Sequence, residues 1–373
     1  MKKLVSLLSL IVIAIVLSSC SYYQELIILN WQDYLSYDLV KQFEEENNCI
    51  VTELTTTSNE NMYSDILNRR VPYDIVIPSD YMIDKLQKNG LLKEIDFSKL
   101  ENYSPDMFVE ELQTLMYNDA NKHFTNYYVP YFWGSLGIMY STKNFPNIGD
   151  IIEEYGWAVF FEDVLPEGAS IAMYDSSRDA FACAELYLGY SLNTTNKEEL
   201  DRCAELISSR HFTKWGTDDL KIDVSAGNTD VALVYSGDFF DAYYADSEGD
   251  HPEKTENYGI YAPTSANNVF FDAMVIPITS EETELAYKFI DFMLDADNSY
   301  TNTEMVGYCP TLQVVYDDIF SDEEWSDITS IDAYNPALVV DIAGPKAEVY
   351  LDLGDEAYSY MESLYNNKIR FGS

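Results

Sequence analysis

Five short segments of the chain each combine aromatic rings with carboxylates. Rings attract cations through their negative faces, by about 0.5 to 2 kcal/mol each. Carboxylates accept charge-assisted hydrogen bonds from N–H groups, and these are roughly twice as strong as neutral ones. A pocket built from such segments suits a flexible apolar chain that carries ammonium groups. Because the segments are scattered, a fold must bring them together, which indicates a binding protein before an enzyme. They are residues 30–34 (NWQDY), 78–81 (PSDY), 174–179 (YDSSRD), 235–238 (YSGD) and 270–272 (FFD).

The N-terminal residues have the pattern of a signal peptide. Lys2 and Lys3 precede an apolar run over residues 4–17, which is shorter than the roughly 20 residues of a membrane-spanning helix. The run ends in Leu-Ser-Ser before Cys20, which resembles a bacterial lipoprotein cleavage site. We therefore expect a signal peptide over residues 1–19 and a lipid on the Cys20 sulfur that anchors a soluble body to the membrane. The alternative is an ordinary secretory leader with an incidental cysteine.

The composition is strongly acidic, with 64 acidic and 22 basic residues and a formal net charge of −42. Removal of residues 1–19 takes away two lysines and no acidic residue, which makes the net charge −44. Such a surface repels nucleic acids and anionic headgroups and concentrates cations near a cleft. We expect no nucleic-acid partner. A solvated acidic surface that keeps the protein dispersed explains most of these charges equally well.

The histidine and cysteine content limits the chemistry further. Three histidines in 373 residues argue against a zinc enzyme or a histidine-dependent hydrolase. Apart from Cys20, the cysteines are Cys49, Cys183, Cys203 and Cys309, and they show no C-x-x-C spacing. We therefore expect no metal site and no cofactor. These four cysteines could form disulfides or remain as buried free thiols, and the sequence allows both.

The pattern along the chain alternates between strand and helix, which indicates an α/β fold. About 350 mature residues exceed what one core usually sustains, so two domains are expected. Binding residues in such folds gather where strands end and helices begin. Residues 96–127 show no assignable pattern. The predicted strands lie at 26–29, 50–54, 73–77, 136–140, 231–235 and 270–278, and the predicted helices at 37–47, from 58, 79–89, 178–187 and 282–294.

Together these motifs resemble the bacterial spermidine/putrescine-binding proteins, the substrate-binding components of polyamine ABC transporters. The resemblance implies a type II-like periplasmic-binding-protein fold, in which two α/β lobes joined by crossing strands close on a ligand in the cleft between them. The crossings would lie near Gly134 and Asn268. Lobe 1 would comprise 24–134 and 268–317, and lobe 2 would comprise 135–267 and 318–373. The matching pieces lie at 30–34, 58–63, 73–79, 129–134, 173–179, 235–238, 271–274 and 307–308.

The resemblance also implies a function. The protein would capture spermidine, putrescine or both in an acidic aromatic cleft and deliver the polyamine to the permease subunits of an ABC transporter. It would be a monomer and not an enzyme, held outside the cytoplasm by its lipid anchor. The leader resembles that of members from Gram-positive bacteria, which tether the receptor to the cell membrane.

The resemblance assigns ten residues to the ligand site. Asp33, Asp179 and Asp272 would face different nitrogens of one extended ligand, because an unpaired buried charge costs several kcal/mol. The rings would flank the methylenes and offer cation–π contacts. Lobe 1 would contribute Trp31, Asp33, Tyr34, Ser79 and Tyr81, the other lobe and its edge Asp179, Tyr235 and Tyr308, and the crossover Phe270 and Asp272.

Taken singly, several of these residues also have ordinary structural explanations. Asp33 could be a turn or N-cap residue, and Asp179 could pair with Arg178. Tyr235 and Phe270 could be core rings. Family members commonly carry tryptophan at these last two positions, and tryptophan is the best cation–π partner, so affinity or ligand choice could differ here.

Further positions adjoin the ten assigned residues. Asp175 and Asp238 are adjacent candidates, which turn chemistry explains as well as binding does. Ser176 stands where some members have an acid, which removes one anchor for a third ammonium. The resemblance also implies a further polar contact from the C-terminal region, near Tyr350.

Two other functions stay open from the residues alone. A receptor of the same fold could hold a sugar, an amino-acid derivative or ferric ion. A surface glycosidase could use two of the many carboxylates, although no nucleophile elbow, metal motif or Gly-rich phosphate loop is visible. The residues do not decide among putrescine, spermidine and spermine.

Overall fold

The structure is a computed structural model that describes residues 23–370 except 69, 120, 248, 250 and 251. The expected signal peptide and the expected lipidation site, Cys20, lie outside the described residues. Within the described residues, no helix combines the length and the apolar character needed to cross a bilayer.

The strands coincide with most of the predicted apolar runs. The runs at 26–29, 50–54 and 231–235 each form a strand, and 136–140 is the second half of a longer one. The last predicted strand begins earlier than expected and ends before Pro277, a residue with no N–H to donate to a ladder. The strands are β1 (Gln24–Asn30), β2 (Cys49–Thr55), β3 (Ile75–Val76), β4 (Tyr128–Ser141), β5 (Ile171–Tyr174), β6 (Lys214–Gly216), β7 (Val231–Tyr235), β8 (Tyr258–Tyr261), β9 (Asn267–Val275), β10 (Cys309–Pro310) and β11 (Ala347–Glu348).

The predicted helices are likewise present, with bounds within a few residues of expectation. The α-helices are α1 (Tyr37–Asn47), α2 (Asn59–Asn68), α3 (Asp80–Lys88), α4 (Glu110–Met116), α5 (Ile148–Tyr155), α6 (Ser177–Leu188), α7 (Lys197–Ser208), α8 (Asp219–Ser225), α9 (Ser236–Ser247), α10 (Thr283–Met293), α11 (Ala296–Val306), α12 (Gln313–Ser321), α13 (Ser326–Thr329), α14 (Pro336–Ala343) and α15 (Gly354–Leu364). Short 3₁₀ turns lie at Phe97–Lys99, Thr125–Tyr127, Gly156–Phe160, Pro252–Asn257, Glu323–Trp325, Asp332–Tyr334 and Gly344–Lys346, and a π-helix lies at Tyr365–Arg370.

The strands form one mixed sheet in the order β2–β1–β3–β9–β4–β7–β5–β6, with β8 and β10 beside β4 and β11 beside β9. At one end β1 is parallel to β2 and β3, and at the other end β5 is parallel to β6 and β7. Between these ends β9 is antiparallel to β3 and β4, and β4 is antiparallel to β7. Parallel strands linked through helices are the α/β architecture that the sequence predicts.

β4 and β9 connect the two ends of the sheet. The first part of β4, up to Ser135, pairs with β9, and the remainder, from Leu136, pairs with β7. β9 begins beside β11, with Asn268 opposite Glu348. The change of partner therefore falls next to Gly134 and Asn268, where the resemblance places the crossings. The lobe boundaries drawn through these two points stay a prediction.

Gly134 lies where β4, β9 and α9 approach one another. A Cβ at this position would lie 2.7 Å from Cζ of Phe270 and 2.8 Å from Oγ of Ser236. No side chain fits in that space, so glycine allows β4 to run directly beneath the Phe270 ring.

The buried apolar side chains form two cores, of which the first extends from the β1 end of the sheet to β7 and α9. Phe43 and Phe271 belong to one core, and Ile138 and Phe181 belong to the other, and all four are fully buried. Residues 96–127 pack on the first core, where Phe108 is buried. Their elements are too short to show periodicity, which explains why no pattern was assignable.

The four described cysteines are buried and unpaired, and they are Cys49, Cys183, Cys203 and Cys309. Of the two alternatives left open by the sequence, the structure therefore contains free thiols. Burial raises the pKa of Cys183 and Cys309, which keeps both thiols protonated and unreactive in the folded protein.

Candidate ligand-binding site

The predicted site residues converge because they lie at strand ends and at the crossing strand. Tyr34 follows β1, and Ser79 is the N-cap residue of α3. Asp179 lies in the first turn of α6, and Tyr235 is the last residue of β7. Asp272 lies inside β9, where its backbone forms an isolated bridge with Ser79. The strand-end positions follow the general placement of binding residues in α/β folds.

Five rings form a continuous row, which we call the aromatic wall: Tyr34, Tyr308, Phe270, Tyr235 and Tyr174. The centroids of successive rings lie 5.0, 6.4, 5.0 and 5.4 Å apart, and each ring meets the next edge to face. Such pairs contribute about 0.5–1.5 kcal/mol beyond the area that they bury. The wall is therefore a continuous row of rings held by their mutual packing.

Asp272 meets the wall at Tyr34. Oδ2 of Asp272 accepts a hydrogen bond from the Tyr34 hydroxyl at 2.7 Å. Oδ1 is buried and has no hydrogen-bond partner among the described residues. Burial raises the pKa of Asp272 to about 6, against the lowering effect of the Ser79 and Tyr34 hydroxyls. A buried acceptor without a donor costs about 1–3 kcal/mol, so this oxygen is poised to accept an N–H group.

Asp179 meets the wall at Tyr235. Its Oδ1 accepts hydrogen bonds from the Tyr235 hydroxyl at 2.6 Å and from the Tyr350 hydroxyl at 3.2 Å. Its backbone N–H donates to Oγ of Ser176, the N-cap residue of α6. Burial raises the pKa of Asp179, and these hydroxyls lower it. The carboxylate is thus held in place by tyrosine hydroxyls from two elements.

Arg178 directs its hydrogen bonds away from Asp179. Its Nη2 donates to Oδ1 of Asn193 at 2.8 Å and to the carbonyl of Leu351 at 3.2 Å, and its guanidinium lies 4.4 Å from the Tyr350 ring centroid. The same helix buries Glu185, whose carboxylate oxygens have no hydrogen-bond partner among the described residues. Burial raises the pKa of Glu185 to about 8, and Arg178 lowers it.

Asp238 forms a third carboxylate beside the wall. It lies in the first turn of α9 and is 6% exposed. Its Oδ2 accepts from the backbone N–H of Tyr235 at 3.4 Å. Burial raises the pKa of Asp238 to about 7, and the nearby Lys221 lowers it.

Contacts across the site join α3 to the segment that follows β11. The Tyr81 and Tyr350 rings meet edge to face at 6.2 Å. The backbone N–H of Asp352 donates to Oδ2 of Asp84 at 3.2 Å. Tyr81 packs against both cores, while Tyr350 belongs to the second core. These contacts enclose the site between the two ends of the sheet.

The family model described as bacterial extracellular solute-binding protein matches residues 38–330. The chain belongs to this family. The putrescine-binding periplasmic protein SpuD of Pseudomonas aeruginosa is 30% identical over 291 residues, which cover 75% of this chain and 76% of that protein. The spermidine/putrescine-binding periplasmic protein of Salmonella typhimurium is 28% identical over 349 residues, covering 92% of this chain and 90% of that protein.

A solved structure shares the fold along nearly the whole chain. The spermidine/putrescine ABC transporter substrate-binding protein PotD of Streptococcus pneumoniae superposes with a TM-score of 0.73 at 28% identity, covering 94% of this chain and 100% of that one. The resemblance seen in the sequence and the two-lobed α/β fold are therefore confirmed. The family and these relatives are solute-binding transport proteins.

Two predicted residues of this solute-binding protein lie at the edge of the site. Asp33 is exposed, has a left-handed backbone with φ of 54°, and accepts from Nε2 of Gln32 at 3.3 Å. It therefore lies outside the buried cluster, and its role as a ligand residue stays a prediction. Trp31 is partly buried, and its Nε1 has no hydrogen-bond partner within the described part of the chain.

Ser79 and Tyr81 lie at the N-terminus of α3. Oγ of Ser79 accepts from Nδ2 of Asn59 at 3.1 Å. The Tyr81 hydroxyl donates to Oε1 of Glu60 at 3.0 Å. Across the described residues, no group of three His, Cys, Asp or Glu side chains is arranged to hold a metal ion.

Three residues of the site were not among the ten predicted in this solute-binding protein. Tyr174 was visible in a ring-and-acid segment, and Asp238 was an open candidate three residues after Tyr235. Tyr350 reaches Asp179 only because β11 places the C-terminal segment beside β9. The resemblance placed a further polar contact near Tyr350, and the local sequence pattern alone gives no such signal because that strand pairing is remote in sequence.

Proposed function

We propose that this solute-binding protein captures a polyamine, spermidine or putrescine, and delivers it to the permease of an ABC transporter. The observation that carries the proposal is Oδ1 of Asp272, a buried carboxylate oxygen that lacks a hydrogen-bond partner among the described residues and lies beside the aromatic wall. An ammonium group supplies both the missing donor and the balancing charge. The relatives named for putrescine and spermidine binding support the same ligand class.

Two anchoring carboxylates at separate members of the wall support a ligand with more than one ammonium group. Asp272 is bound by Tyr34, and Asp179 is bound by Tyr235. The rings of Tyr308 and Phe270 lie between these two tyrosines along the wall. A chain of methylenes laid along these rings would place an ammonium group near each carboxylate, with cation–π attraction at the ends.

Ligand capture would proceed by closure of the two lobes, 24–134 with 268–317 and 135–267 with 318–373. A ligand that contacts Asp272 and Asp179 together stabilises the closed arrangement over any open one, because only the closed arrangement offers both carboxylates. The crossing strands β4 and β9 would act as the hinge.

The protein would work outside the cytoplasm as a monomer. Export would follow from the signal peptide over residues 1–19, and a lipid on Cys20 would hold the receptor at the membrane next to its permease. The description of the family as extracellular supports this location.

Calorimetric titration of residues 21–373 with spermidine and with putrescine tests the proposal. We expect saturable one-to-one binding, and Asp272→Asn should weaken it at least about 100-fold because removal of one partner of a buried ion pair costs about 3–5 kcal/mol. Asp163→Asn is the matched control, since it removes the same charge from a side chain that is 94% exposed. It should leave the affinity unchanged.

Two results would refute the polyamine assignment. One is the absence of binding heat with either amine in folded, ligand-free protein. The other is equal weakening by the Asp272 and Asp163 variants, which would mean that only the overall charge matters. Binding of a neutral sugar at the same site would favour the alternative receptor function, and turnover of an oligosaccharide would favour the glycosidase.

A further inference from the structure

A lysine ammonium of the protein itself lies among carboxylates that adjoin the candidate site. Nζ of Lys221 is 2.7 Å from Oδ2 of Asp241 and 3.8 Å from Oδ1 of Asp238. Asp218 adds a third negative charge nearby. We call these three residues the distal acids. The Lys221 side chain is 18% exposed, that of Asp238 is 9% exposed and that of Asp241 is 50% exposed, so the pair with Asp238 is mostly buried and the pair with Asp241 is partly open to solvent.

The distal acids lie directly against the aromatic wall. The residue before Asp238 is Gly237, at which a Cβ would lie 2.0 Å from Cζ of Tyr308, so the Tyr308 ring rests on the backbone there. The Tyr174 hydroxyl donates to Oδ1 of Asp218 at 3.5 Å. Two members of the wall therefore contact the segment that carries Lys221 and its partners.

The three carboxylates beside the wall differ in their hydrogen-bond and ion-pair partners. Asp272 keeps one oxygen without a partner among the described residues. Oδ1 of Asp179 accepts from two tyrosine hydroxyls. Asp238 is instead paired with a cation, the ammonium of Lys221. An ammonium group among acids beside rings is the chemistry proposed for the ligand, and at the distal acids the protein supplies it.

We propose that Lys221 is a specificity-determining residue: its ammonium occupies the distal acids in place of a ligand ammonium, so that the site takes diamines in preference to triamines. The inference rests on the proposed function, because it concerns which polyamine that site selects. Asp272 and Asp179 remain for the two ends of a diamine. A third ammonium would meet Lys221, and like charges at close range disfavour its binding.

A ligand could avoid this repulsion by displacing Lys221, but the displacement would cost the contacts that the lysine now makes. The lysine stem would have to leave its partly buried position, and its ammonium would give up its ion pair with Asp241. Burial lowers the pKa of Lys221, and the charges of Asp238 and Asp241 raise it. The effect of the carboxylates together is the larger one, so the pKa lies above its ordinary value. Lys221 therefore stays charged throughout the physiological range.

The test compares putrescine with spermidine in calorimetric titrations of residues 21–373. The wild-type protein should bind putrescine more tightly. Lys221→Met should shift the ratio of the two dissociation constants about tenfold toward spermidine, the equivalent of one charge-assisted hydrogen bond. Lys221→Arg keeps the charge and should keep the wild-type ratio.

Lys214→Met is the matched control for general electrostatics. Lys214 also pairs with two aspartates, Asp219 and Asp223, which belong to the same helix as Lys221. Its removal should leave the ratio unchanged. If Lys221→Met does not fold, Lys221→Gln, which can still donate to Asp241, provides the neutral side chain.

The outcomes separate this inference from the proposed function. If the wild-type protein binds neither amine, both are overturned. If it binds both amines and the ratio is the same in the neutral Lys221 variant, the proposed function stands and the role of Lys221 is overturned. A shift of equal size in Lys214→Met would also overturn it, because the effect would then be one of net charge.

Discussion

Binding of a diamine should release protons from Asp272. Burial raises the pKa of this carboxyl to about 6 in the ligand-free protein, so it is about nine-tenths protonated at pH 5, about half protonated at pH 6 and almost fully ionised at pH 8. An ammonium on Oδ1 favours the ionised form and lowers that pKa. Asp272 by itself should therefore release about 0.9 proton on binding at pH 5, about 0.5 at pH 6 and close to none at pH 8.

The same linkage gives the affinity a pH dependence with a definite sign. The pKa is raised in the ligand-free site, so the proton competes with the ligand below pH 6. Affinity should be level above about pH 7 and should fall by about tenfold for each pH unit below about 6. The amine itself stays charged over this range, so the loss reports the protein.

Calorimetric titrations in buffers of different ionisation enthalpy measure the release directly. The slope of observed enthalpy against buffer ionisation enthalpy is the number of protons exchanged. A slope of zero at pH 5 and pH 6, with binding intact, would refute the assignment of an ammonium to Asp272. Asp238, with a pKa of about 7, would add about 0.9 proton at pH 6 if the ligand reached it. A total near 1.4 that falls to about 0.5 in Asp238→Asn would therefore contradict the occupation of the distal acids by Lys221, whereas an excess that persists in that variant would come from Asp179, whose pKa burial also raises.

Two further substitutions test other features of the structure. Glu185→Gln should raise the free energy of unfolding by up to about 4 kcal/mol at pH 8 and by less than about 1 kcal/mol at pH 5, because the Glu185 pKa is raised to about 8 and the buried carboxyl is stable only when protonated. Urea unfolding at both pH values measures this change, and an equal effect at both would contradict the reasoning. Gly237→Ala places a Cβ 2.0 Å from Cζ of Tyr308 and should displace that ring, which costs about 1–3 kcal/mol and about 10- to 100-fold in polyamine affinity; unchanged calorimetric affinity would show that the Tyr308 ring does not contact the ligand.

The sequence predicts the fold correctly where the local hydrophobic pattern matches the surroundings of the residues in the folded protein. Apolar runs such as 231–235 are buried on both faces of the sheet and could become nothing but central strands. The ring-and-acid segments converge for a related reason, since several of them follow directly on such strands. A residue like Asp272, a carboxylate inside an apolar strand, stands out because that position is costly without a partner.

Other features depend on packing that no local pattern encodes. The pairing of Lys221 with Asp238 arises because α8 packs beside α9, and nothing in either segment's sequence indicates that the two helices pack together. Tyr350 reaches the site through the pairing of β11 with β9. Asp33 shows the limit of the local pattern, because its segment resembles a ligand segment while the residue itself is exposed and has a left-handed backbone, and its role as a ligand residue stays a prediction.

The strand order also determines when the site can come into being. β9 lies between β3 and β4 in the sheet, yet it follows both of them by more than a hundred residues along the chain. Until β9 has been added, β3 and the first half of β4 have no common neighbour, and the sheet is two separate pieces. Such long-range pairings form late because the loop must close before the contacts repay it. The strand that unites the molecule is the one that carries Asp272, so a chain able to hold the ligand has, by that fact, completed its fold.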